Sequence, residues 1–484
     1  MSPPATILGE ESYIPYQTKA KNGILTDPYQ NGQTFVNSIK NQYSDDDTLD
    51  LLCVGFGPAS LAIAIALEDL EDKKISPKVL FLEKNSEFTW HPGMQIPGAK
   101  MQISFIKDLA TLRNPRSKFT FINYLFTKQR LNQFINLSTH LPSRAEYEDY
   151  LRWCASHFEA KNQVQYDTEV KSVRAGSQNA DGKVTSWIVT SLDSKGNTVT
   201  KRACNVVLAV GGKPMIPKEL KGIKNVTHSS QFIPFIKNIK SHGSGRKFRF
   251  AVVGAGQSAA EIFDHLWSVF PESKISMIIK TASLRPSDDS PFVNEIFHAD
   301  RVDDIFTMPS SQRAASLTFD RGTNYGVVRP ALLEHLYDKL YMQRIATPLP
   351  SQWNACILSN RTIISANETQ NRSNVILTLC DSRDNNIREC IEVDYIFAAT
   401  GYLCNAHEDI LANVRPLLQY AMAQENKSWF VQRDYRVMFD AVKVSSESGI
   451  WLQGCNEKTH GLSDTLLSIL AIRGGELINS IFGL

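Results

Sequence analysis

Asp50-Leu51-Leu52-Cys53-Val54-Gly55-Phe56-Gly57-Pro58-Ala59-Ser60 is the stretch that decides the fold. Leu51 to Val54 is an apolar run, as in a buried strand. Gly55 and Gly57 follow as a tight turn, where glycine lets the backbone bend and come close to a pyrophosphate. Ser60 takes the third small position, where strand and helix pack closely. Leu61-Ala62-Ile63-Ala64-Ile65-Ala66-Leu67 continues as a helix with few polar residues. Its N-terminus offers free N–H groups and a positive dipole end to phosphate. Val79-Leu80-Phe81-Leu82-Glu83 adds a second strand ending in an acid, placed to take a ribose hydroxyl. A glycine pattern alone is a weak signal. Strand, turn, helix and acid together point to a dinucleotide site.

The design recurs at Lys247 to Glu261. There a strand, Gly254-Ala255-Gly256, a small residue at Ala259 and a helix follow one another. Two mononucleotide-binding units in one chain imply two dinucleotides. The next strand, Ile275 to Lys280, ends in a cation rather than an acid. A carboxylate would accept a ribose hydroxyl and repel phosphate, whereas a cation suits a 2′-phosphate. The first unit therefore fits FAD and the second NADPH.

The chain has 484 residues, 42% hydrophobic and 21% charged, with a net charge of +2. Such values allow two or three domains and do not favour nucleic acid or an anionic membrane surface as the main partner. The eight cysteines are scattered and none has CxxC spacing, which argues against a zinc site and against a dithiol redox centre. Scattered cysteines suit a reducing compartment, so the cytoplasm is the expected location. No apolar run is long enough to span a membrane.

Other stretches carry their own signals. Residues 1–48 are polar and read as a poorly ordered lead. Trp90 to Leu109 holds too many Gly, Pro and aromatic residues for one regular element, yet is apolar enough to pack. Ser143, with Glu146 three positions on, is expected to cap a helix through Trp153. Asn205 to Leu208 reads as a strand running into Gly211-Gly212. Ser290-Pro291 starts a helix that leaves Asn294 unexplained, and Gly322 to Gly326 reads as a turn carrying Asn324. Val393 to Tyr402 is a strand returning to a Thr-Gly turn. Gly449 to Gly454 is another strand, followed by a final helix from Thr465 to Phe482 capped by Ser463 or Asp464.

Six blocks carry a resemblance to a known family: Gly55 to Ser60, Trp90 to Leu109, Gly254 to Glu261, Arg285 to Phe297, Ala399 to Tyr402 and Asn456 to Ser468. The sequence resembles the flavin-dependent N-hydroxylating monooxygenases, and within them the fungal L-ornithine N5-monooxygenases of siderophore biosynthesis. The resemblance runs from about Asp50 to Gly483. It implies an α/β fold of two Rossmann-like dinucleotide-binding domains, for FAD and NADPH, plus a small, mainly helical substrate-binding region. The FAD domain would span 49–245 and 395–484. The NADPH domain would span 246–394, with a substrate-binding insertion at about 285–350.

The same resemblance implies the site. Gly55, Gly57, Pro58, Ser60, Glu83, Lys84, Trp90, His91, Met101, Gln102, Arg144, Val170, Thr465, Leu466 and Leu467 would surround FAD. Gly254, Ala255, Gly256, Gln257, Ser258, Lys280, Asn324, Tyr325 and Gly326 would hold NADP. Lys107 would pair with the substrate carboxylate. Asn294, Glu295, Ile296, Phe297, Asn324 and Ser468 would bind the substrate, with Lys107, Asn294, Asn324 and Ser468 as the catalytic set. NADPH would reduce FAD, O2 would add to give the C4a-hydroperoxide, and this would hydroxylate the ornithine side-chain amine. A homotetramer in the cytoplasm is implied as well.

The sequence departs from the family at Lys280, where the family carries Arg, and at Gly326, where it carries Ser. Gly222 to His228 matches the flavin-monooxygenase fingerprint loosely, and Ala398 replaces a larger residue. A lysine N6-hydroxylase shares the design and differs by one methylene, worth only about 1–3 kcal/mol in a pocket. The Asn294 and Asn324 blocks favour ornithine. A disulfide reductase would need the missing dithiol. A non-catalytic regulatory flavoprotein would not need Lys107, Asn294 and Ser468.

Overall fold

The computed structural model describes residues 47–70, 76–242, 246–370, 373–419 and 429–484. Apart from its last two residues, the expected lead at 1–48 lies outside the described residues.

The first sheet is centred on the opening strand, Thr48–Val54. It runs parallel to Val79–Leu82 on one side and to Thr198–Leu208 on the other, with Leu51 opposite both Val79 and Asn205. Thr198–Leu208 is long enough to serve two neighbours on its other side. Its first half pairs antiparallel with Trp187–Leu192, and its second half parallel with the late strand Gly449–Leu452. The chain therefore leaves this sheet and returns to it near the C-terminus. The helix Pro58–Glu68 follows the opening strand, with Ser60 to Ala66 all buried. A helix that is apolar all round must be covered on both sides. Here the sheet covers one side, and Leu470–Phe482 packs so closely on the other that a side chain at Gly474 would strike Ala62 backbone.

The second sheet is all parallel. Ala355–Leu358, Lys274–Ile278, Arg249–Val253, Tyr395–Ala398 and Val226–His228 lie side by side in that order. This pairing corrects the boundaries expected at 245 and 395, because Val226–His228 and Tyr395–Ala398 are strands of the second sheet. A three-stranded antiparallel sheet, Arg361–Glu368 with Val375–Asp381 and Asp384–Val393, is added to it. Helices Arg301–Thr307, Ser310–Asn324 and Pro330–Ala346 form a mainly helical insertion.

The irregular section after Glu83 is packed. Phe105, Phe121 and Phe134 meet edge to face or tilted, and Phe121 packs on Tyr147 and Tyr150 of the helix Arg144–Glu159. Each such buried aromatic contributes roughly 2 kcal/mol or more through the area it removes from water. The expected Ser143 cap is present: its hydroxyl accepts the Glu146 N–H at 3.1 Å.

Two local expectations are corrected. Gly322 to Asn324 is not a turn but the last turn of the helix Ser310–Asn324. The final helix begins at Leu470, after two short 3-10 turns at Leu462–Thr465 and Leu467–Ile469. Neither Ser463 nor Asp464 caps it, because the Asp464 carboxylate is engaged with Arg473 and Asn456 instead.

Candidate active site

Both glycine turns are built alike. Gly55 has φ +91°, and a Cβ there would lie 2.5 Å from the carbonyl oxygen of Ala209, just past the neighbouring strand. Gly254 has φ +137°, and a Cβ would press on the Ala399 carbonyl in the same way. The second glycines differ from the first. A Cβ at Gly57 would meet nothing within 4 Å, and one at Gly256 would find Gly326 Cα at 3.5 Å. So Gly57 fronts open space at the N-terminus of Pro58–Glu68, with Pro58 in its first turn, as a pyrophosphate cradle requires. Gly256 and Gly326, both expected at NADP, are brought together.

Glu83 ends its strand buried beneath the first turn. Its Oε2 accepts the Phe56 N–H at 2.8 Å, and its Oε1 accepts the Asn85 N–H at 2.9 Å and the Asn85 side-chain amide at 2.7 Å. The acid thus holds the glycine turn in shape, and its remaining lone pairs can accept a ribose hydroxyl. The Ser60 hydroxyl is buried without a partner. These residues fit a dinucleotide.

A line of rings crosses from the first unit to the second. Trp90 packs on Tyr147 and His91, His91 on Tyr402, and Tyr402 on His228. His91 is exposed to solvent on this line, although neighbouring groups crowd its ring. That crowding, with the charge of Arg144, pushes its pKa down to about 4.

Arg144 is one of the residues expected around FAD. It makes a two-pronged ion pair with Glu261 of the helix Gln257–Val269, at 2.9 and 3.0 Å. It also donates to the Met94 carbonyl at 2.5 Å. Gln257 bridges Glu261 and the Arg329 N–H, each at 2.9 Å, and Arg329 donates to the Met101 carbonyl at 2.9 Å. A chain of hydrogen bonds, most of them charge-assisted, thus ties the loop of the first unit to the second helix–turn unit.

At the other end, Lys107 is half-buried with no carboxylate paired to its ammonium among the described residues, and burial lowers its pKa. Asp108 beside it is buried. Its two oxygens accept the N–H groups of Ala110, Thr111 and Phe121 and the Thr111 hydroxyl, all between 2.6 and 2.9 Å. Tyr147 donates its hydroxyl to the Lys107 carbonyl at 3.3 Å. The Lys107 loop is therefore rigid while the lysine head is available.

The insertion meets the C-terminal segment. Phe297 and Leu317 pack with Leu462, and Ile296 and Leu466 lie against them. Tyr325 bonds Thr465 at 3.0 Å and donates to Glu457 at 3.0 Å, and Arg321 also binds Glu457. Asn294 uses its amide N–H to close its own turn on the Asp289 carbonyl at 2.9 Å, leaving its amide oxygen. The Ser468 hydroxyl is buried with no partner. Asn324 is half-buried at the helix end, and Leu467 is half-buried beside Ser468. No hydrogen bond joins Lys107, Asn294, Asn324 and Ser468 to one another among the described residues. Lys84, Gln102, Glu295 and Lys280 are exposed, Ser258 is half-buried, and Val170 is buried in the antiparallel arm of the first sheet. Asp108, Glu261, Glu457 and Arg473 were not expected from sequence. Asp108 had a local signal, since Asp-Leu-Ala-Thr can close an Asx turn. Glu261 and Glu457 find partners far along the chain, and Arg473 finds Asp464 nine residues back.

A family model described as L-lysine 6-monooxygenase/L-ornithine 5-monooxygenase matches residues 47–404. The chain belongs to this family. It is 48% identical over 456 residues to the L-ornithine N(5)-monooxygenase of Arthroderma benhamiae, covering 91% of this chain and 90% of that one. Among solved structures, it is similar to the ornithine hydroxylase of Pseudomonas aeruginosa, with a TM-score of 0.81 and 34% identity over 90% of this chain and 99% of that one. An ornithine N-hydroxylase from Kutzneria sp. 744, solved with reduced FAD, NADP+ and L-ornithine, gives a TM-score of 0.81 and 33% identity, with the same coverage.

Proposed function

We propose that this chain is an L-ornithine N5-monooxygenase that uses FAD and NADPH. The observation that carries the reading is the pair of like-built glycine cradles, one in each large sheet, tied together through Arg144 and Glu261. When bound, the two cofactors supply hydride transfer and oxygen activation, which no side chain can provide. The protein's part is to bind, orient and keep out water.

In this reading Gly57 and the helix behind it take the FAD pyrophosphate, and Gly256 with Gly326 takes that of NADPH. Lys280 reaches the 2′-phosphate as a point charge, without the fork an arginine would offer. Lys107 takes the substrate carboxylate. The side-chain amine must be neutral to attack, although a free alkylamine has a pKa of about 10. A carboxylate beside it would hold the proton on, so the amide oxygen of Asn294 is the better neighbour. The partnerless Ser468 hydroxyl offers a further hydrogen bond to the amino acid.

A cytoplasmic homotetramer is part of the proposal. No disulfide joins any of the eight cysteines among the described residues, as suits a reducing compartment. Tyr337, Tyr341 and Ile345 form an exposed apolar stripe on Pro330–Ala346, of the kind a second copy covers. No helix among the described residues is long and apolar enough to cross a membrane.

The deciding experiment gives purified protein NADPH, O2 and either ornithine or lysine, and measures hydroxylated product against hydrogen peroxide. N-hydroxyornithine should dominate. Preferential hydroxylation of lysine, or peroxide alone, overturns the reading. Faster flavin reduction by NADH than by NADPH overturns the role of Lys280.

A further inference from the structure

The C-terminal segment holds a buried ion pair to which the reading above gives no role. Asp464 and Arg473 are both almost completely buried. Arg473 Nη1 donates to the Asp464 main-chain carbonyl at 2.7 Å and to Oδ1 at 3.0 Å. Asp464 Oδ2 accepts the Asn456 N–H at 2.6 Å, and the Asn456 side-chain amide donates to the Leu452 carbonyl at 2.7 Å. One carboxylate therefore joins the end of the strand Gly449–Leu452 to the helix Leu470–Phe482. The segment between them, with the short helix Glu457–His460 and the two 3-10 turns, is closed on that knot and includes Thr465 and Ser468.

Burial works to raise the Asp464 carboxyl, and Arg473 and the Asn456 N–H work against it. A well-packed apolar group would fill such a place without the desolvation cost of two ions. What a charged pair adds is direction, since its hydrogen bonds hold in one geometry and an apolar contact tolerates several. The segment it fixes is also where the insertion docks, through Glu457 with Arg321 and Tyr325, and through Thr465 with Tyr325.

We propose that Asp464 is a positioning residue, which through Arg473 and Asn456 sets the turn Leu462–Ile469 against the flavin and places the Ser468 hydroxyl toward the amino acid. The inference rests on the function proposed above.

Asp464→Asn tests it. The amide keeps the size but turns an N–H toward one of the two donors the carboxylate satisfied, so one anchor is lost. The ornithine KM should rise about tenfold, the size of one charge-assisted hydrogen bond. A larger share of NADPH should end as peroxide, and the rate of flavin reduction should stay at the wild-type value. The absorption spectrum of the bound flavin should also shift. A variant with wild-type KM, coupling and flavin spectrum overturns the proposal, however unstable it is. If Asp464→Asn does not fold, Arg473→Lys is measured in the same way: it keeps the charge and weakens the two-point grip. Wild-type coupling and spectrum in that variant overturn the proposal, and altered ones support it. Wild-type protein that makes no N-hydroxyornithine refutes the proposed function instead, and the flavin spectra of the variants then decide the role of Asp464.

Discussion

Lys107 is presented to a ligand by neighbours that bind everything around it except its charge. Asp108 pins the backbone on one side, Tyr147 holds the Lys107 carbonyl, and no carboxylate among the described residues meets the ammonium. Burial already costs this cation some of its proton affinity, and an incoming carboxylate would restore it. Lys107→Ala should therefore raise the ornithine KM by about 10- to 100-fold, the worth of a hydrogen-bonded charge pair. Flavin reduction by NADPH should be nearly unchanged, as stopped-flow absorbance would read; equal losses in both steps refute the assignment. In the sequence Lys107 looks like any loop lysine, and only the family resemblance marked it. The feature that makes it special, an Asp108 with four donors from three positions, depends on how the loop folds back on Phe121.

At the scale of elements, the glycine turns were legible because their causes are local: an apolar run, two glycines and the start of a helix within eleven residues. The structure separates the two glycines by role. Gly55 is forced by φ +91° and the Ala209 carbonyl, whereas Gly57 has ordinary dihedrals and open space before it. Gly55→Ala should destabilise the protein by roughly 2 kcal/mol or more, from strain and the clash. Gly57→Ala should leave the urea midpoint of the FAD-free protein nearly unchanged and weaken FAD binding, because the new methyl would stand where the pyrophosphate comes. Equal FAD affinity for Gly57→Ala and wild type would remove the cradle from Gly57. The misread elements failed for non-local reasons. A single Gly322 costs a helix only about 1 kcal/mol, and the ties of Arg321 and Tyr325 to Glu457 hold the helix end in place. Ser463-Asp464 looked like a cap until Arg473, nine residues on, took the carboxylate.

For the whole molecule, the ties between distant parts were the least legible, since no short pattern announces that Arg144 will meet Glu261 117 residues away. His460 is such a meeting point. It is fully buried, stacked on Tyr435 at 4.2 Å and against Phe306 of the insertion at 5.1 Å. Its Nε2 donates to the Arg433 carbonyl, and its Nδ1 faces the Thr459 hydroxyl, an arrangement suited to the neutral ring. Burial first, then the charges of Arg433 and Arg473, push its pKa down to about 4. In the unfolded chain it would titrate near 6.5. Between these values the unfolded state binds the extra proton, so stability is lost as pH falls from about 6.5 through about 4, by roughly 3 kcal/mol in all. Above about pH 7 the group contributes no pH dependence. His460→Gln should be less stable than wild type at neutral pH, having lost the stack, but should lose less on acidification. Urea midpoints at about pH 7 and about pH 4.5 for both proteins measure this, with the carboxylates common to both cancelling in the comparison. A wild-type protein whose midpoint falls no further than that of His460→Gln would show that the buried imidazole is not what makes this fold acid-sensitive.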